Sequence, residues 1–269
     1  MLFRQFQPSK ELSGYIKCYW ILECEYQPGL PERILPDGCT ELIFHYGDSY
    51  SRLSEEGLTE QAKILLVGQI KRAIQLQANG QTGMLGVRFY PWGLHALMGV
   101  PVSELTDQHI DARLIFKQLS ELEEQVNNRG HEGMIERTEG FLLRILKGQK
   151  QKHFYQANRF AAIIKSMSGT DENAVAAMAA SANMSVRQFN RKFNEVTGLS
   201  PKHYLRITRM QEFISQYRQW GDAKSLSSVI YDCGYYDPAH FCHDFKDIAG
   251  VKPSEYFEGL QDLGSAMLL

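Results

Sequence analysis

Between Arg187 and Asn194 the polar residues Arg187, Asn190, Arg191 and Asn194 recur at intervals of three and four, so a helix here carries them on one side. Phe189, Phe193 and Val196 fall on the other side and must point inward. Guanidinium and carboxamide groups match guanine and adenine edges with paired hydrogen bonds, which is what reading a DNA major groove requires. Taken alone, such a face is more often an ordinary solvated helix surface. A second stretch, 237–249, buries Phe241, Phe245 and Ile248 and leaves Ala239, Cys242, His243 and Lys246 outward. That face is poorer in paired donors and is expected to position a duplex through its backbone more than to read it, with His243 and Lys246 toward phosphate or base. Lys192, Lys202, His203 and Arg206 lie near helix starts or on the intervening helix and are phosphate candidates.

Other chemistry is thinly supplied. Cys18, Cys24, Cys39, Cys233 and Cys242 are scattered and form no C-x-x-C pair, so reduced, unpaired thiols are expected. Cys39, Glu41 and His45 would share one face of a strand, yet no His-x-His pair accompanies them, and neither a metal, a cofactor nor a catalytic group is predicted. A cupin-type enzyme with a regulatory helical tail is therefore the alternative reading. A repair methyltransferase is a further rival, but a zinc-type cysteine set and a Pro-Cys-His-Arg motif are both missing. Trp20, Arg33, Phe44 and Trp92 could line a ligand pocket, and each fits a core or surface position better, so the ligand residues stay open.

The elements that must position the polar faces are written twice. At an offset of 52 residues, Phe189 pairs with Phe241, Phe193 with Phe245, Gly198 with Gly250, Pro201 with Pro253 and Tyr204 with Tyr256. Each copy has the parts of a helix-turn-helix. In the first, the Ala-rich stretch 174–182 is a strong helix former, and Ala179 lets a second helix cross closely. Asn183 takes the turn, Ser185 caps the next helix with Gln188 completing a capping box, and Gly198 ends it. In the second, Gly234, Asp237, Pro238 and Gly250 do the same work, while Ile230 stands where Ala179 stood and implies wider helix spacing. A helix of roughly 18 residues opening at Pro201 would be about 27 Å long and hold the two units near the ~34 Å repeat of successive major grooves.

Upstream the pattern differs. Runs 15–22, 41–46, 64–67, 73–77 and 84–90 are short and apolar or alternating, with turn residues at Pro28-Gly29, Pro36-Asp37-Gly38, Gly47-Asp48 and Asn79-Gly80 between them. They read as a small β-barrel or sandwich. Leu114, Leu119, Leu122 and Val126, then Ile135, Phe141, Leu142 and Ile145, suggest two helices that cover the open end of the β domain or form a dimer seam. The fold class is α+β in two domains: a β-rich domain over 1–147 with covering helices, a linker at 148–153, an all-α domain over 154–260 and a tail at 261–269.

A content of 43% hydrophobic and 22% charged residues is that of an ordinary globular chain, which argues against disorder. The net charge of -2 argues against a uniformly basic surface, but residues 183–220 hold seven basic residues against two acids. The N-terminus has no apolar signal region and no window reaches the ~18 apolar residues of a membrane span, so a cytoplasmic location is expected.

These residues resemble the AraC/XylS family of transcription regulators. The carriers are the run from Met178 to Phe193, Thr197-Gly-Leu-Ser-Pro201, Tyr204 to Arg209, Gly234-Tyr-Tyr-Asp-Pro-Ala-His-Phe241, Phe245-Lys246 and Gly250-Val-Lys-Pro253. The resemblance implies promoter binding through both units and an N-terminal domain that senses a small molecule or dimerises. The first half is similar to cupin-like regulatory domains at Leu35 to Phe44 and Gly86-Val-Arg-Phe89. His243 departs from the arginine common in relatives, which weakens the expectation of DNA contacts by the second unit. The partners so implied are double-stranded DNA, with room for RNA polymerase, a small-molecule effector and a second copy of the chain, and no membrane.

Overall fold

The computed structural model describes residues 1–25, 31–127, 130–148, 151–165, 174–220 and 226–258. Its strands are β1 (Leu2–Phe6), β2 (Ile16–Cys24), β3 (Glu32–Ile34), β4 (Thr40–His45), β5 (Tyr50–Ser54), β6 (Gly57–Glu60), β7 (Ile64–Val67), β8 (Ile74–Ala78), β9 (Thr82–Phe89) and β10 (His109–Asp111). Antiparallel pairing builds one sheet in the order β1-β2-β9-β4-β7-β10 and another in the order β3-β8-β5-β6. Alternation explains the stacking: Trp20, Leu22, Ile43, Leu65 and Met84 pack inward with Tyr50 and Leu76, while Tyr19, Ile21, Leu42, Phe44, Leu66 and Val87 face the opposite way. Among the described residues the sheets remain open at their edges, so the β domain is a sandwich and no closed barrel forms.

The helices are α1 (Gly93–Met98), α2 (Leu119–Asn127), α3 (His131–Gly148), α4 (Gln151–Lys165), α5 (Ala174–Ser181), α6 (Val186–Thr197), α7 (Pro201–Trp220), α8 (Leu226–Asp232), α9 (Pro238–Ala249) and α10 (Pro253–Glu258). Leu119, Leu122, Val126, Phe141 and Leu142 of α2 and α3 bury the outer face of the larger sheet. These helices thus cover a sheet face, where sequence periodicity suggested the open end of the domain. Leu114 does not join them: it sits in a separate 3-10 turn, Ala112–Leu114, and is 80% exposed. Of the expected linker at 148–153, Gly148 ends α3 and residues 151–153 open α4, while residues 149–150 lie outside the described residues, as does the tail 261–269. Polar composition marks exposure, and a solvated helix end satisfies it as well as a loop does.

Leu35, Trp92 and Ala96 of the N-terminal half share one core with Phe160, Phe189, Phe193 and Tyr204 of the helical half. Trp92 stacks on Tyr90 with ring centroids 5.1 Å apart, and Lys165 Nζ lies 5.6 Å from the Trp92 ring.

Candidate nucleic-acid interface

The two helix-turn-helix copies share turn, cap and packing features. Asn183 and Gly234 both take positive φ, 46° and 77°, and in both turns the next residue's N–H reaches back, Met184 to the Ala179 carbonyl at 2.9 Å and Tyr235 to that of Ile230 at 3.2 Å. The second turn has one more residue before its cap. Ser185 and Gln188 form the capping box of α6, Asp237 accepts from the His240 N–H at α9, and Gly198 and Gly250 end the two helices at φ 80° and 76°. Ring centroids of Phe189 and Phe193 are 5.6 Å apart, and those of Phe241 and Phe245 are also 5.6 Å apart. Each pair continues to a tyrosine, Tyr204 at 5.8 Å from Phe193 and Tyr256 at 5.5 Å from Phe245. Ile230 is fully accommodated in the core. At 20 residues, α7 between the units is about 30 Å long.

With both aromatic faces buried, the outward faces follow. Arg187, Arg191 and Lys202 are exposed, and Asn190, Asn194 and Lys192 are half-buried, Lys192 pairing with Glu195 at 2.7 Å. On α9, Ala239, Cys242, His243 and Lys246 are exposed. Two phosphate candidates are turned to other work. Arg206 Nη2 pairs with Asp247 at 2.7 Å and with Asp244 at 3.0 Å, and Asp244 is 5% exposed. His203 Nε2 sits 3.0 Å from the Lys71 carbonyl, and burial lowers its pKa, so it is neutral against the N-terminal half. A position near a helix start or on the intervening helix says nothing of the acids and loops that fold back onto that side. Asp244 and Asp247 were the overlooked residues; acids on a helix proposed to face phosphate are themselves a signal of internal pairing.

The partners of those acids show how the N-terminal half grips the units. The β7–β8 loop, 68–73, meets the C-terminal end of α9: Ala73 N–H donates to the Ile248 carbonyl at 2.7 Å and Arg72 pairs with Asp247 at 2.8 Å. Arg33 on β3 adds a bond to the Ala249 carbonyl at 3.2 Å. The 3-10 turn Val102–Glu104 meets the end of α6, where Thr106 Oγ1 donates to the Gly198 carbonyl at 2.6 Å. The two loops are tied to one another, the Asp107 N–H to the Gln69 carbonyl at 2.7 Å and the Lys71 N–H to Asp107 Oδ1 at 2.8 Å. One platform therefore holds the C-terminal ends of both outward-facing helices and leaves their N-terminal turns open.

The same loop is a wall of a cavity of about 90 Å3 between the sheets, lined by Trp20, Glu41, Ile43, Leu76, Arg88 and His109 together with Gly68 and Ile70. Of the four pocket candidates only Trp20 lines it; Phe44 faces the covering helices, Trp92 the helical half and Arg33 the end of α9. Gly86 seats Trp20, since a Cβ there would lie 1.9 Å from the indole. Trp20 Nε1 then donates to Glu41 Oε1 at 3.1 Å. Burial pushes the Glu41 carboxyl up to about 7. Cys39, just before β4, and Glu41 on it both line the cavity, whereas His45, expected on the same face, does not; burial pushes the Cys39 thiol up to about 12. The five cysteines are free. Among the described residues no three His, Cys, Asp or Glu side chains are placed to hold a metal ion.

The family comparison settles what the duplicated unit is. Residues 178–259 match the model of a helix-turn-helix domain. The chain carries a helix-turn-helix domain over these residues. Residues 4–111 match a domain of unknown function, DUF6597. The chain is 33% identical over 75 residues to an uncharacterised HTH-type transcriptional regulator of Haemophilus influenzae, covering 28% of this chain and 24% of that protein. It is 34% identical over 74 residues to the HTH-type transcriptional activator RhaR of Pectobacterium atrosepticum, covering 28% and 25%. The chain thus matches about a quarter of the length of those curated relatives. Among solved structures, ToxT from Vibrio cholerae O395 aligns over 90% of this chain and 96% of its own, with 14% identity and a TM-score of 0.47. Among the described residues no helix is long and apolar enough to cross a membrane.

Proposed function

We propose that the protein is a cytoplasmic transcription regulator that binds double-stranded DNA sequence-specifically, placing α6 and α9 in adjacent major grooves, and that a small molecule at the N-terminal domain modulates it. The observation that carries this reading is the donor face of α6, with Arg187 and Arg191 exposed and, among the described residues, free of internal ion pairs, and the C-terminal end of the helix held from behind. Arg187, Asn190, Arg191 and Asn194 read base edges, and Lys192 and Lys202 meet phosphate. Ala239, His243 and Lys246 on α9 add contacts that are mostly positional. His203 and Arg206 are left out, because their polar atoms already serve Lys71, Asp244 and Asp247. The ~30 Å of α7 suits the ~34 Å groove repeat. The loop that walls the cavity also holds α9, which supports a route from effector to DNA: a change in the cavity moves the hold on a recognition helix.

The test is a titration of the purified chain against labelled fragments from upstream of its own gene, with scrambled competitor, at two salt concentrations. Saturable binding that resists competitor and weakens as salt rises is expected. Binding that scrambled DNA abolishes equally well, across genomic fragments, overturns the reading.

A further inference from the structure

The cavity between the sheets is acid-rich for the bases it holds. Asp37 and Glu41 both line it, and Arg88 pairs with Asp37 while its Nε lies 3.8 Å from Glu41 Oε1. Two carboxylates thus share one guanidinium. His109, two strands along the same sheet from Glu41, is kept neutral because burial and the nearby Arg52 push its pKa down to about 4. Lys17 is exposed, where water screens its charge. The Trp20 indole N–H donates to Glu41, Gln61 and Cys39 add polar lining, and Ile43, Leu76 and Met84 are among the apolar residues that make up much of the remaining wall.

A buried carboxylate without a full counter-charge is costly, and a ligand that supplies the charge together with N–H donors removes that cost. A ligand carboxylate would add a third acid to one guanidinium. At roughly 10–15 Å3 for one water-sized body, a cavity of about 90 Å3 holds about six to nine non-hydrogen atoms. We propose that this cavity binds a small organic cation, an amine or amidinium of that size, whose N–H groups donate to Glu41 and whose apolar body packs on Trp20 and Leu76. The proposal rests on the effector reading of the N-terminal domain and names the chemical class of the effector. It also explains why Gly86 is needed: the indole must lie flat on that backbone to present both its N–H to Glu41 and its ring to the cavity.

The test is calorimetric titration of the full chain with benzylamine, benzamidine, benzyl alcohol and benzoate. The two cations are expected to bind at least tenfold more tightly than the alcohol or the acid. Their uptake should release up to one proton at pH 6 and close to none at pH 8, because the bound cation ionises Glu41. Glu41→Gln should weaken the cations at least tenfold and abolish the proton release; if that variant does not fold, the proton release of the natural chain decides. Benzoate binding as tightly as the amines, unchanged amine affinity in Glu41→Gln, or no uptake of either cation overturns the proposal. DNA titration of the same preparations separates the two readings: specific DNA binding without amine uptake rejects the ligand class alone, and amine uptake without DNA binding rejects the regulator alone.

Discussion

Above pH 7 the ionised Glu41 carboxylate faces Asp37 and Arg88 inside the sandwich with Trp20 as its near donor, and the folded state bears the cost. Its folded pKa of about 7 lies above the ordinary 4.5, so the native chain keeps a proton that the unfolded chain has released. The stabilising effect is complete below about pH 4.5 and is lost as pH rises through 7, by about 3 kcal/mol at the limit. His45 and His109 run the other way: burial pushes both to about 4, so they destabilise the fold as pH falls from 6.5 toward 4. Comparing Glu41→Gln with the natural chain cancels the histidines. Urea melts should show the variant gaining stability relative to the natural chain between pH 5 and pH 8.5, by about 3 kcal/mol; a flat difference would mean that Glu41 is solvated. Arg191→Ala should cost roughly 1–3 kcal/mol of specific DNA affinity and leave the melting midpoint unchanged, since the side chain is exposed. Arg206→Ala should behave oppositely, lowering stability by on the order of 3 kcal/mol by stripping the buried Asp244 of its main partner. A folded Arg206→Ala protein that loses only DNA affinity would restore Arg206 to the phosphate contacts.

Each of α6 and α9 is held by an aromatic pair beneath it and a cap at either end. Phe193 touches Phe160, Phe189 and Tyr204 and is fully buried, so Phe193→Ala should cost about 3–5 kcal/mol, read by chemical denaturation. Ser185→Ala removes one half of the capping box and should cost about 1 kcal/mol without disturbing the core, a contrast that separates cap from packing. This level of structure was the most legible in the chain. The 52-residue repeat, the turn residues Asn183 and Gly234 and the closing glycines all act within a few positions of themselves, and the structure shows them in the expected conformations. Strands β1, β3, β5, β6 and β10 were not legible, because segments of three to five residues, such as the half-exposed edge strand Gly57–Glu60, carry little alternation to detect. The six-residue α1 was missed for a related reason: it is buried all round and too short to show a period.

At the scale of the whole molecule, the platform of loops 68–73 and 101–107 joins the ends of α6 and α9, and its bonds differ in strength. Arg72–Asp247 is an open surface pair, Arg72 being 73% exposed, and its loss should be nearly silent. Thr106→Val removes the bond to the Gly198 carbonyl in a half-buried setting and should cost about 1 kcal/mol, with faster amide hydrogen exchange around Gly198. Unchanged exchange there would show that the platform does not hold α6. What the amino-acid order determined by itself was local and periodic: two copies of one helical unit, their caps, and which side of each recognition helix is free. It determined these because hydrogen bonds and apolar stripes within a helix depend on neighbours three and four residues away. Only the tertiary structure decided that the β strands form an open sandwich and that Arg206 and His203 are occupied. It also decided that Glu41 meets Arg88 at the cavity between the sheets and that one loop serves both cavity and helix. Those facts depend on residues such as Arg206 and Arg72 meeting Asp247 from distant parts of the chain, and no spacing rule reaches across such separations.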